Sequence, residues 1–97
     1  MADLANIVTL RAKLGKTEQL GDALKILIAQ TRKEPGSTVC ELHQAAEDDA
    51  TWMVYERWTG EAAFAGHMRA PYVADFLARV DDLVREPPSV RAFHHRK

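Results

Sequence analysis

Between Thr51 and Trp58 the chain sets Trp52, Val54, Glu56 and Trp58 on one parity and Met53, Tyr55 and Arg57 on the other. Side chains alternate between the faces of a strand, so this pattern predicts a strand carrying large groups on both sides. Ser37 to Gln44 has the same extended character, and the polar stretch Ala45 to Ala50, with Glu47, Asp48 and Asp49, joins the two as a hairpin. Upstream, Leu4, Ile7, Val8, Leu10 and Leu14, mixed with Thr9 and Arg11, predict a first strand over Leu4 to Leu14 that ends at the turn signal Gly15-Lys16. Leu20, Ala23, Leu24, Leu27, Ile28 and Thr31 then recur at the spacing of one helical face, with Thr17 as the predicted cap. Arg32 and Lys33 suit the negative end of that helix, and Glu34-Pro35-Gly36 stops it. Thr59 is the predicted cap of a short helix holding Ala63, Phe64, His67 and Met68, which breaks near Ala70-Pro71. A second helical piece keeps a stripe through Tyr72, Val73, Phe76, Leu77, Val80, Leu83 and Val84 until Glu86-Pro87-Pro88. Ser89 to His95 closes the set as a last strand.

The order β-α-β-β-α-β is the split βαβ arrangement, an α+β, ferredoxin-like fold with one four-stranded antiparallel sheet and its helices on a single face. Helices can cover only one side, so the second apolar face of the sheet is expected to pack on a second copy as a homodimer. With 97 residues the chain is expected to be one domain over 1–97, small enough to gain from a partner subunit. Its 13 basic and 14 acidic side chains are spread along the chain, which excludes the electrostatic footprint of a nucleic-acid binder. The one basic cluster, Arg91 to Lys97 with His94 and His95, reads as a solvated terminus. Cys40 is the single cysteine, so no internal disulfide forms and a reducing, cytoplasmic location is expected. Met1, Ala2, Asp3 and Leu4 do not begin an export signal, and no apolar run nears the roughly 20 residues of a bilayer span, so no membrane partner is expected.

Five stretches together resemble the antibiotic biosynthesis monooxygenase family of small dimeric α/β barrel proteins. They are Leu10-Arg11-Ala12-Lys13-Leu14-Gly15-Lys16, Arg32-Lys33-Glu34-Pro35-Gly36-Ser37, Glu41-Leu42-His43, Tyr55-Glu56-Arg57-Trp58, and Ala63-Phe64 with His67. The resemblance implies the fold above and a reaction without a cofactor: a phenol or hydroquinone is deprotonated and its anion reacts directly with dioxygen. Similar chains include haem-degrading enzymes and sugar-phosphate isomerases, so the fold alone leaves the reaction open. Such chemistry needs a base, a hydrogen-bond partner for the phenolate and an apolar cage.

Trp58, His67, Tyr72 and Phe76 are the candidate pocket, with Trp58 as the flat wall against the ring. Asn6 on the first strand is the candidate donor to the anion, and His67 or His43 the candidate base, since imidazole titrates near neutral pH. Glu41 and His43 share a face of their strand, where a suitable register brings them to Glu56 and Trp58. The plainer alternatives are that Trp58 and Phe76 are core, that Glu41 and His43 are a polar pair at a dimer seam, and that His67 is a satisfied structural histidine. Against the haem-type relatives, Asn6 matches their strand asparagine, but His67 stands where a tryptophan belongs and Leu77 where the haem ligand belongs. Adjacent His94 and His95 point to opposite faces, and no metal site is expected. Three functions follow: a cofactor-independent monooxygenase acting on a small aromatic or hydroquinone, an isomerase of a small carbonyl compound using the same His and Glu, or a non-catalytic ligand-binding dimer.

Overall fold

Residues 3–96 are described by a computed structural model. Met1 and Ala2 of the N-terminus, and Lys97 of the basic tail, lie outside the described residues. The elements are β1 (Leu4–Arg11), α1 (Thr17–Thr31), β2 (Ser37–Gln44), β3 (Thr51–Trp58), α2 (Glu61–Met68), α3 (Pro71–Val80) and β4 (Ser89–His94). The four strands form one antiparallel sheet in the order β2-β3-β1-β4, the ferredoxin-like arrangement. The break expected near Ala70-Pro71 separates two helices, α2 and α3: Ala70 is extended before Pro71, which opens α3 at its first turn, where the missing N–H costs nothing.

Register decides which parity meets the helices. Leu4 pairs with Trp58, Asn6 with Glu56, Leu10 with Trp52, and Cys40 with Glu56 from the other side. This parity is buried under α1, α2 and α3, and the core joins Leu10, Leu20, Leu24, Val54, Phe76 and Val80. The opposite parity, with Ile7, Val39, Met53 and Tyr55, is half-buried and has no helix over it.

Several local expectations are corrected. β1 stops at Arg11, and Leu14 is 101% exposed, because the chain turns at Gly15, the one described residue with positive φ. The α3 helix ends at Val80; Leu83 and Val84 stay buried in a turn whose Val84 bridges to Ala12. Neither predicted cap is one. The Thr17 hydroxyl bonds the Asp49 carbonyl and accepts the Trp52 indole N–H at 3.0 Å, tying the start of α1 to the β2–β3 turn, while Gly60 takes the cap position of α2.

The α1–β2 turn is packed tightly against α2. A Cβ on Gly36 would collide with the Ala63 Cβ, and the Gly36 carbonyl accepts the Thr59 N–H at 2.9 Å. Gly36→Ala is therefore expected to push α2 outward and to cost about 1–3 kcal/mol in urea unfolding; a change within about 0.5 kcal/mol, the usual surface value, would mean the turn yields freely.

Candidate active site

Four elements converge at one end of the helix-covered sheet face. β1 contributes Asn6, β3 Glu56 and Trp58, α2 Phe64 and His67, and α3 Tyr72 and Phe76. Trp58 and Asn6 are fully buried, and Glu56 and His67 are only 6% and 5% exposed. The Glu56 Oε2 atom accepts the Asn6 Nδ2–H at 3.0 Å and the Trp58 Nε1–H at 2.9 Å. Two neutral donors on one oxygen are what keeps a carboxyl group tolerable in this apolar surrounding. The Asn6 Oδ1 atom is buried without a protein partner, a cost of about 1–3 kcal/mol that a water or a bound hydroxyl would relieve.

Behind this group lies a second one. His67 Nδ1 is 2.7 Å from Glu34 Oε2, the Tyr72 hydroxyl donates to the same oxygen, and the Thr31 hydroxyl is 3.2 Å from Tyr72. The Trp58 and His67 rings lie 4.6 Å apart between centroids, so the two groups touch through their aromatic faces. Burial, followed by the hydrogen bond to Glu34, pushes the Tyr72 hydroxyl up to about 12.

Between the sheet and α2 and α3 lies a cavity of about 120 Å³, close to the roughly 150 Å³ that holds one benzene ring in an apolar protein interior. Leu24, Val54, Phe64, Val73 and Phe76 are typical of its walls, and Glu56 and His67 are its only ionisable lining residues. The predicted residues thus separate. Glu56, His67 and Phe76 line the cavity. Asn6 gives one of its two amide hydrogens to the Glu56 carboxyl group and is not among the cavity's lining residues. Trp58 is a fully buried support for Glu56 and His67 and lies outside the cavity wall, which Phe64 forms in its place. Tyr72 reaches His67 both through Glu34 and directly, its hydroxyl 3.2 Å from His67 Nδ1.

His43 is not part of the site. With Cys40 opposite Glu56, the neighbouring pairs are Glu41 with Tyr55 and His43 with Met53, so Glu41 and His43 occupy the other face, where they bond each other at 3.2 Å and the His43 side chain is 52% exposed. Glu34, which bonds both His67 and Tyr72, is the member of this cluster that sequence reading missed, because its place in Glu-Pro-Gly reads only as a helix stop. Leu77 also lines the cavity with an alkyl side chain that offers iron no ligand, and a one-ring cavity does not admit a porphyrin, so the residues present do not fit haem. Among the described residues no group of three or more His, Cys, Asp or Glu is placed to hold a metal ion, and no helix is long and apolar enough to cross a membrane.

Cys40 lies under Glu56 in the core, and burial, with the Glu56 carboxylate adding and Arg32 opposing, raises its thiol from 9.0 to about 12. A raised acid favours the folded state while it stays protonated, so this stability is complete below pH 9 and is lost as pH climbs toward 12. Tyr72, raised from 10.0, adds to the loss only above pH 10. The urea midpoint is expected to start falling above pH 9 in the native chain and above pH 10 in Cys40→Ala; parallel curves for the two would show that Cys40 does not titrate in this way.

A four-stranded ferredoxin-like sheet with an apolar, one-ring cavity between sheet and helices defines the class of protein. Residues 4–79 match the family model described as antibiotic biosynthesis monooxygenase, and the chain belongs to that family. The structure of PA3566 from Pseudomonas aeruginosa superposes with a TM-score of 0.94 at 25% identity, over 100% of this chain and 97% of that one. YcnE of Bacillus subtilis, whose name proposes a monooxygenase, is 25% identical over 84% of this chain and 85% of its own. The uncharacterized protein sll1783 of Synechocystis is 24% identical over 87% of this chain, which spans only 57% of that relative's length.

Proposed function

We propose that the chain is a cofactor-independent monooxygenase that oxidises a single-ring phenol or hydroquinone with dioxygen. The observation that carries this reading is the cavity itself: one ring in volume, apolar in its walls, and ionisable only at Glu56 and His67. His67 takes the hydroxyl proton, Glu56 accepts a second hydrogen bond from the ring, and the apolar walls keep water from the reactive anion. Dioxygen then forms a C–O bond at a ring carbon, whose C–H bond breaks. The other oxygen atom leaves as water with the ring and hydroxyl hydrogens, and the ring becomes a quinone. The ring supplies all four electrons, so no external reductant is needed. The family and the name of the Bacillus relative support oxygen chemistry.

The test is oxygen uptake by metal-free protein on a panel of hydroquinones, with quinone measured by absorbance and ¹⁸O₂ used as label. One oxygen consumed and one labelled atom retained per quinone is the expected result. No uptake above background, or stoichiometric hydrogen peroxide without label, would sink it. Glu56 and His67 on one cavity also suit proton shuttling on a small carbonyl compound; turnover that persists without air would select that isomerase reading instead.

The same reading includes a second copy against the free sheet face. Val39, Ile7, Met53 and Tyr55 are half-buried there, and Phe93 stands 40% exposed on the edge strand, a patch that suits a self-complementary partner. Light scattering of the purified chain at the monomer mass would remove this part of the reading.

A further inference from the structure

A proton count around His67 assigns a task to Glu34. The imidazole Nδ1 lies 2.7 Å from Glu34 Oε2, and one proton must sit between them. An ionised carboxylate has none to give. Tyr72 has one; its oxygen also lies 3.2 Å from His67 Nδ1 and from the Thr31 hydroxyl, but its nearest acceptor is the same Glu34 oxygen. Thr31 has spent its own hydrogen on the Leu27 carbonyl at 2.8 Å. The remaining donor is His67, which must carry its hydrogen on Nδ1. In the neutral ring Nε2 then holds a lone pair and, among the described residues, has no protein partner.

We infer that Glu34, in the turn between α1 and β2, is a positioning residue that locks His67 in the Nδ1–H tautomer and so leaves Nε2 as the proton acceptor of the cavity. Tyr72 is the second strut of the lock. Its proton is held on Glu34, and with its hydroxyl pushed up to about 12 it is a poor source or sink of protons at neutral pH. The turn is well placed for the task because Gly36, two residues on, brings α2 and its His67 down onto it. Only the kinetic arm of the following test rests on His67 being the base.

Long-range ¹H–¹⁵N spectra of the full chain, recorded without substrate above the usual imidazole titration range, read the tautomer directly, with the His67 signals identified by their loss in His67→Asn. The native ring is expected to be protonated at Nδ1, and so is that of Tyr72→Phe, whereas Glu34→Ala is expected to shift the ring toward Nε2–H. Glu34→Gln, which keeps a neutral acceptor, is expected to fall between. A native ring protonated at Nε2, or an unchanged tautomer in folded Glu34→Ala, overturns the inference. The native spectrum decides alone should the alanine variant fail to fold. In turnover of a hydroquinone, Glu34→Ala is expected to lower kcat about 10–100-fold, the range known for the orienting partners of metal-bound histidines, with KM within about twofold. A loss confined to KM overturns it as well. Absence of any turnover overturns the proposed reaction, and the tautomer still decides on Glu34.

Discussion

Trp58→Ala is expected to destabilise the fold by about 4 kcal/mol, in the range for large aromatics removed from a core. Two losses add. The indole is fully buried between the sheet and the His67 and Phe64 rings, so its removal leaves a void that backbone elements on three sides hold open. It also takes away one of the two donors on Glu56 Oε2 and leaves a buried carboxyl group bonded by Asn6 alone. A domain of this size shifts about 4–8 °C per kcal/mol, so the melting temperature is expected to fall by roughly 20 °C. Trp58→Phe separates the parts: it keeps most of the packing and loses the N–H, and about 1–3 kcal/mol is expected from the unpaired acceptor. Were the two variants equally stable, packing would count for little here; were Trp58→Phe neutral, Glu56 would not depend on the indole.

The same interactions show why some of the molecule was legible in the sequence and some was not. Strand alternation at 51–58 and the three-and-four spacing of Leu20, Leu24, Leu27 and Ile28 are local signals, and they gave the element order, the antiparallel sheet and the helix-covered face. The side of the sheet on which His43 falls is not local. It depends on pairing across the hairpin to a strand eight or more residues away, and a one-residue slip exchanges the faces. β3 gave no help, since both of its parities carry large groups. Leu83 and Val84 kept a helical period because burial, not helix, is what periodicity reports; the chain buries them in a turn instead. Glu34 was hidden by its neighbours, as Pro35 and Gly36 account for the turn so completely that the carboxylate between helix and turn invited no second use.

Those corrections make a matched pair of histidines. His67→Ala is expected to lower kcat on a turned-over hydroquinone by roughly 10²–10⁴-fold, the usual contribution of a positioned acid or base. His43→Ala is expected to leave it within about twofold. Both changes remove an imidazole near a glutamate, so residue type alone predicts no difference between them. Geometry does. His67 is buried, lines the cavity and is held by a carboxylate at 2.7 Å, whereas His43 lies across the sheet with half its side chain in water and a 3.2 Å contact to Glu41 that solvent screens. Removing His67 also takes one of the two donors from Glu34, which keeps only Tyr72, and a stability loss of about 0.5–3 kcal/mol is expected with it. Rates are therefore compared at a temperature where circular dichroism shows both variants folded. Equal activity in the two, or full activity in folded His67→Ala, would place the base elsewhere, with Glu56 the one other ionisable group on the cavity wall.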